Sequence, residues 1–406
     1  MDAIVLAVFA FVYIGMFLGE LPGLKLDRTG VALLGAIALL ASGRLTPKDA
    51  WDAVDVSTIA LLLGLMVVSA QFRLGGFYTS VTRRLASAEA KPSAVLAMLI
   101  GAVGLMSALL ANDVVCLAVA PVLVEGCARR GLNPIPFLLG LACAANVGSA
   151  ATLIGNPQNM LIGQVLHLSF AGYLVDAAVP AVLGLFVVWL VIRWLYRDKW
   201  LMEFAVPAVE ARELNRWQTF KGLVVLTLLV IAFLATSWPR DILALAAAGL
   251  LLTSRRMATR DMLGLVDWQL LVLFVGLFIV NHALGASGML GHAMERAGMA
   301  GVGPSSPAWL FGITAVLSNL VSNVPAVMLL LPTARHPLAG SVLALASTLA
   351  GNFLIVGSIA NIIVVDQARK LDVKVGWLEH AKAGVPVTVV TLAVSACWLW
   401  LRSCAL

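Results

Sequence analysis

Side chains able to hold an ion or a small polar solute fall in two short stretches of an otherwise apolar chain. The first runs Asn146-Val147-Gly148-Ser149-Ala150-Ala151-Thr152-Leu153-Ile154-Gly155-Asn156-Pro157-Gln158-Asn159, and the second runs from Ala350 through Gly351, Asn352, Gly357 and Ser358 to Asn361. Gly and Pro weaken a helix, and Asn, Ser and Thr compete for its backbone groups. Inside hydrocarbon, such a break survives only where protein or a water-filled cavity satisfies the freed groups. Half-helices that end there aim N–H groups, which suit anions, or carbonyls, which suit small cations together with Asn side chains. Two further polar points, Asn112-Asp113 and Ser322-Asn323, interrupt the apolar segments 93–127 and 306–334. These positions supply the candidate site. Asn112, Asp113, Ser149, Thr152, Asn156, Ser322, Asn323 and Ser358 are read toward a substrate. Asn112, Asp113, Asn146, Asn159, Asn323, Asn352 and Asn361 are read toward Na⁺ or H⁺.

The elements that must position them are membrane helices. Of 406 residues, 61% are hydrophobic and 12% charged, against about 25% charged in soluble domains. The net charge of +6 comes from basic residues in short loops, so nucleic acid is not an expected partner and membrane lipid is. Five Cys and five His form no ligand spacing. The first apolar run has no basic leader or small-residue cleavage site and reads as an uncleaved span.

Spans are expected near 3–19, 29–43, 57–75, 134–165 (broken), 172–195, 219–236, 241–253, 268–285, 338–368 (broken) and 383–401. The segments 93–127 and 306–334 read as hairpins that enter and leave on one side. Twenty of the 27 Lys and Arg then fall in segments assigned to the cytoplasm, which places both termini outside. A polar linker, 197–218, separates residues 1–196 from 219–406, and the two parts repeat. Asp55, Gly64 and Gly76 match Asp267, Gly276 and Gly288 at an offset of 212; Ser107, Asn112 and Pro121 match Ser318, Asn323 and Pro332 at 211; Gly155 and Asn159 match Gly357 and Asn361 at 202. Five spans per part invert the second relative to the first. Inverted repeats with matching broken helices are the sequence signature of secondary transporters. Amphipathic segments follow each third span, Phe77–Glu89 and Met289–Arg296, and are expected to lie in the headgroup region.

Several polar residues have competing readings. Asp113 either caps a helix over 114–127 or serves as an ion or proton site; a charge at mid-membrane costs about 3 kcal/mol on insertion scales. Asp366 with Arg369, and Glu125 with Arg129, read as helix-surface ion pairs. Ser107 and Ser318 read as hydroxyls bonded back to their own helices. Cys116 reads as core filler. No Lys or Arg occurs in 93–128, 134–192, 297–334 or 336–368, so an anion there must be held by amide dipoles, hydroxyls and a bound cation.

These motifs resemble the ion transporter superfamily over about residues 25–400, a group that includes divalent anion/sodium symporters, citrate transporters, arsenite permeases and certain Na⁺/H⁺ antiporters. Asn112 to Pro121 and Asn323 to Pro332 keep the spacing from hairpin-tip Asn to Pro, and Thr152-Leu153-Ile154-Gly155-Asn156-Pro157-Gln158-Asn159 is similar to the family's first helix break. The resemblance implies two cation sites flanking one substrate site, and a substrate domain moving elevator-fashion against a homodimeric scaffold. The family's tip Thr is replaced by Asp113 and Val324. An Asn-Asp tip is more similar to the arsenite-permease and antiporter members.

The sequence therefore predicts an all-α integral membrane protein of inverted five-span repeats, in a plasma membrane of bacterial inner-membrane type. Its expected activity is secondary transport of a small anion or oxyanion coupled to Na⁺ or H⁺, with no cofactor. The alternatives are arsenite/antimonite efflux and Na⁺/H⁺ antiport. An enzyme is not expected: no Gly-x-Ser-x-Gly elbow or His-supported pair of intramembrane acids is present.

Overall fold

A computed structural model describes residues 3–19, 21, 23–202, 206, 212–288, 303 and 306–404. Among these, every named element is helical. The N-terminal part contains α1 (Ala3–Leu18), α2 (Arg28–Ala41), α3 (Pro47–Asp52), α4 (Val56–Leu74), α5 (Phe77–Ala86), α6 (Pro92–Leu109), α7 (Asn112–Arg129), α8 (Pro134–Ser149), α9 (Pro157–Val165) and α10 (Phe170–Leu195). The C-terminal part contains α11 (Arg216–Ala235), α12 (Arg240–Leu252), α13 (Thr259–Leu263), α14 (Trp268–Ala286), α15 (Pro307–Val321), α16 (Asn323–Leu330), α17 (Ala339–Ala350), α18 (Ile359–Arg369) and α19 (Trp377–Ser403). Six of them (α4, α6, α10, α11, α14 and α19) are long and apolar enough to cross a membrane. The short helices α3 and α13 lie between the expected spans.

Positions matched in the sequence do the same work in the structure. Asp55 and Asp267 each cap a long helix, accepting from the backbone N–H of Thr58 at 2.7 Å and of Leu270 at 2.9 Å, a contact worth about 1 kcal/mol. Gly64 of α4 lies against the backbone of Ala244 in α12, and Gly276 of α14 against that of Ala32 in α2; a Cβ on either glycine would sit within 2.8 Å of the facing carbonyl carbon. Ala32 and Ala244 are themselves 212 residues apart. Each third span thus packs on the second span of the other half, because only glycine lets the backbones meet.

The helices form two bundles. In one, α4 packs on α12, α14 on α2, and α1 and α11 lie alongside. In the other, α6 and α7 pack on α8, α18 on α7, α15 on α17, and α10 runs along α19. Buried charge clips that last pair at one end: Asp176 of α10 takes Arg402 Nε at 3.0 Å and the Ser341 hydroxyl at 2.7 Å. Tyr196 hydrogen-bonds Glu379 at the other end.

The hairpin expected at 93–127 is the pair α6–α7, turning at Leu110-Ala111. Arg130 pins its base by donating to the carbonyls of Ala86 and Ala90 at 3.1 and 3.2 Å. The second hairpin, expected at 306–334, is α15–α16 and a 3₁₀ turn at Leu331–Thr333, where Pro332 ends the α-helical pattern. Its tip, Ser322, is held at φ +73° and ψ 161°, a conformation that L side chains rarely adopt.

Four local expectations change. The helix after the first tip begins at Asn112 with Ala111 in the cap position, so Asp113 sits in the first turn and is not the N-cap. Asp366 pairs with Lys370 at 2.7 Å, one full i,i+4 step away, instead of with Arg369; Glu125 does pair with Arg129, at 2.7 Å. Neither Ser107 nor Ser318 bonds back to its helix. The backbone leaves α-helical form over 150–156 and 351–358, narrower than the 146–159 and 350–361 expected, because Asn146, Asn159 and Asn361 remain within helices. Segment 289–296 lies outside the described residues, as does much of the linker.

Candidate functional site

Each break restarts as a helix for a local reason. Asn156 caps α9 by accepting from Asn159 N–H at 2.9 Å, with Pro157 at the first helical position, where its missing N–H costs nothing. Ser358 caps α18 by accepting from Ala360 N–H at 3.2 Å. The breaks are then stitched in the same way. Asn159 donates from Nδ2 to the carbonyls of Ser149 (3.4 Å) and Thr152 (2.9 Å). Asn361 donates to those of Gly351 (2.8 Å) and Leu354 (3.1 Å). All three positions recur at an offset of 202.

The two breaks touch through side chains that also recur in pairs. Ser358 Oγ donates to Asn146 Oδ1 at 2.8 Å, and Asn156 Nδ2 donates to Thr348 Oγ1 at 3.3 Å. Asn146 Nδ2 donates to Asn361 Oδ1 at 3.0 Å, and Thr348 Oγ1 donates to Asn159 Oδ1 at 3.4 Å. Adding 202 to the first member of each pair's N-terminal partner gives the C-terminal counterpart: Asn146 answers to Thr348, Asn156 to Ser358, Asn159 to Asn361. Asn146 also donates to Asn352 Oδ1 at 2.8 Å and lies 3.5 Å from the Asn112 amide, which makes it the hub of a buried amide network.

Both hairpin tips reach this network. The backbone N–H of Asn112 donates to Gly155 O at 3.3 Å. Asn323 donates from its amide to Gly357 O (3.2 Å) and Ser347 O (3.1 Å) and accepts from Gln158 Nε2 of the other half at 3.2 Å. Ser149 donates to its own helix at Asn146 O (2.8 Å) and accepts from Asn156 (3.0 Å). The Thr152 hydroxyl is committed to Ala108 O at the end of α6. Ser322 stands at the cap position between the two arms, and its side chain makes no cap hydrogen bond. Thus eleven of the twelve expected site residues lie within one hydrogen-bonded cluster or at its hairpin tips. Asp113 lies beside them in the first turn of α7, and among the described residues its carboxylate takes no hydrogen bond or ion pair.

Sequence reasoning missed Thr348, Gln158, Tyr173 and His380. Tyr173 accepts from Asn159 at 3.1 Å, and His380 Nε2 lies 3.0 Å from Asn352 O. Thr348 was recoverable, being Asn146 plus 202, and Gln158 stands inside the first polar stretch itself. Tyr173 and His380 come from neighbouring helices and left no local mark.

Buried oxygens without partners occur in both halves: Ser107 Oγ and Asn112 Oδ1 in one, Ser318 Oγ and Asn319 Oδ1 in the other. The two serines are matched positions, whereas Asn112 answers to Asn323, whose amide oxygen is taken by Gln158. Buried polar groups are nearly always hydrogen-bonded. A neutral set of hydroxyl, amide and carbonyl oxygens is suited to a hard monovalent cation. No group of three or more His, Cys, Asp or Glu suited to a transition metal occurs among the described residues.

Helix breaks, hairpin tips and an apolar all-helical frame define an integral membrane transporter. The family model described as citrate transporter matches residues 5–350, and the chain belongs to that family. A protein named as an uncharacterized transporter in Mycobacterium tuberculosis is 30% identical, over 93% of this chain and 94% of its own. Inner membrane protein YbiR of Escherichia coli is 31% identical over 82% and 85%. A silicon efflux transporter of Oryza sativa is 25% identical over 92% and 93%. Among solved structures, the YdaH transporter of Alcanivorax borkumensis matches with a TM-score of 0.57 at 15% identity, covering 98% of this chain and 97% of that one. That likeness is one of fold.

Proposed function

We propose that the protein is a secondary active transporter that moves a small anion or oxyanion across the membrane, coupled to Na⁺ or H⁺. The observation that carries this reading is a pair of unpartnered oxygens in each half, Ser107 with Asn112 and Ser318 with Asn319, beside a network built from both halves. A cation in each would supply the positive charge that the lysine- and arginine-free core lacks, and the anion would bind between them against the N-termini of α9 and α18. Residues 1–196 and 219–406 act as inverted repeats, and the bundle holding both breaks moves against the other, with α5 as one connection. The recurrence of contacts at offsets of 202 and 212 supports this arrangement. The two-bundle packing supports the motion. A homodimer meeting through the static bundle fits the implied elevator, and the bacterial inner membrane fits the orientation of the basic loops. The test is flux into proteoliposomes under imposed Na⁺ or H⁺ gradients across phosphate, sulfate, arsenite, succinate and citrate. Flux of none of them under either gradient refutes the reading.

A second reading is efflux of a neutral hydroxide, such as arsenite, antimonite or silicic acid. It is favoured by the uncharged amide-and-hydroxyl network and by relatives named a silicon efflux transporter and a putative transporter arsB. Na⁺/H⁺ antiport through the unpaired Asp113 carboxylate is the third. Downhill arsenite flux that builds no Na⁺ dependence selects the second, and a proton flux driven by Na⁺ alone selects the third.

A further inference from the structure

A second place suited to anions lies outside both breaks. Arg73, in the last turn of α4, and Arg212, in the linker, face one cavity of about 350 Å³ with Tyr78 and Thr79 of α5, Pro121 of α7 and Gln367 of α18. No acidic side chain lines it. Among the described residues neither guanidinium has an ion-pair or hydrogen-bond partner. Tyr78, only 1% exposed, is buried in the cavity wall.

The placement of these groups is built, not incidental. Asn215 N–H donates to Gly75 O at 2.9 Å and the Thr219 hydroxyl to the same carbonyl at 3.3 Å, strapping the linker to the α4–α5 turn. Gly76, at φ +70°, brings that turn so close to the strap that a Cβ there would lie 2.3 Å from Glu213 O. Arg212 is therefore held over the cavity. The walls come from both bundles, with α4 on one side of the seam and α7 and α18 on the other. Leu117, which also lines the cavity, is one helical turn from Asp113 on the same face of α7.

Two guanidiniums in a cleft with apolar walls focus the field and raise the local concentration of anions. Their planar forks match the oxygen pairs of a carboxylate or a tetrahedral oxyanion. We propose that this cavity is an anion-docking vestibule that takes a small oxyanion from the side of the basic loops before it meets Asn112 and Asp113. Its purpose rests on the anion-transport reading above; its existence as a binding site does not.

The test uses the full-length purified chain, with sulfate and phosphate as probes and phenylglyoxal as the arginine reagent, read peptide by peptide by mass spectrometry. Sulfate should slow labelling of Arg73 and Arg212 about tenfold, the worth of one charge-assisted contact, and leave the loop arginines Arg255 and Arg256 unchanged. R212Q should abolish protection of Arg73, and R73Q that of Arg212. R73K and R212K keep the charge without the fork and should give intermediate protection, which holds the test open should a Gln variant fail to fold. In proteoliposomes, R73Q and R212Q should raise KM for a transported anion with kcat unchanged. Labelling of Arg73 and Arg212 that neither probe slows relative to Arg255 overturns the vestibule, whatever the flux. Protection without flux of any anion keeps the vestibule and overturns the transport reading.

Discussion

The Ser358 hydroxyl donates to Oδ1 of Asn146 at 2.8 Å, joining residues 212 apart in sequence at the centre of the molecule. Each of them also serves its own half: Ser358 starts α18, and Asn146 closes the last turns of α8. Capping and bridging are thus one structure, so neither break can open without disturbing the other.

Asn146→Ala should therefore cost more than any other single amide truncation in the network. It strips partners from Ser358, Asn352, Asn361 and Asn112, and unsatisfied buried groups cost about 1–3 kcal/mol each. Ser358→Ala should cost less, and Asn133→Ala, at a half-buried helix cap outside the network, least. Thermal unfolding in detergent measures the order. Equal effects of N146A and N133A would show that the network does not bear on stability.

Asp113→Asn tests coupling. The substitution keeps size and removes the charge that stands unpaired in the first turn of α7. Antiport through this carboxylate should vanish, whereas Na⁺-driven anion uptake should persist at reduced rate, as measured by proton-sensitive dye and by tracer flux in the same vesicles.

Sodium should stabilise the folded chain if the unpartnered oxygens hold it. Binding to the native state alone adds about 2.7 kcal/mol at a hundredfold excess over Kd. Ser107→Ala and Ser318→Ala should each reduce the Na⁺-dependent rise in Tm, while Ser395→Ala, another unpartnered buried hydroxyl that lies elsewhere, on α19, should leave it intact. A Tm indifferent to Na⁺ against choline would leave H⁺ as the coupling ion.

Close backbone packing between α4 and α12, and between α14 and α2, predicts that Gly64→Ala and Gly276→Ala each destabilise by about 1–3 kcal/mol, the usual cost of overpacking. Gly249→Ala adds its methyl to open space and should be neutral or slightly stabilising in the interior of α12. Chemical denaturation of the three variants decides it.

The clip at Asp176 predicts asymmetry between its partners. Asp176→Ala leaves the Arg402 guanidinium and the Ser341 hydroxyl without their acceptor and should cost about 3 kcal/mol. Ser341→Ala should cost only about 1 kcal/mol. Similar losses from the two would argue that the ion pair contributes little.

Much of this was written locally. Glycine, proline and polar residues inside apolar runs break a helix wherever they occur, so both interruptions, both hairpin tips and the caps at Asp55, Asp267, Asn156 and Ser358 answer to short-range rules, and most of the expected site residues follow from them. Composition alone required a membrane. Only the tertiary structure decided which breaks meet and through which atoms: Asn146 with Ser358, Asn156 with Thr348, Asn323 with Gln158. It also brought Arg73 to Arg212, and Asp176 to Arg402. The reason is physical. Backbone conformation is set by neighbours a few residues away, whereas a hydrogen bond between residues two hundred positions apart depends on how whole helices pack, and that packing is distributed over small apolar contacts, such as Gly64 against Ala244, that no motif announces.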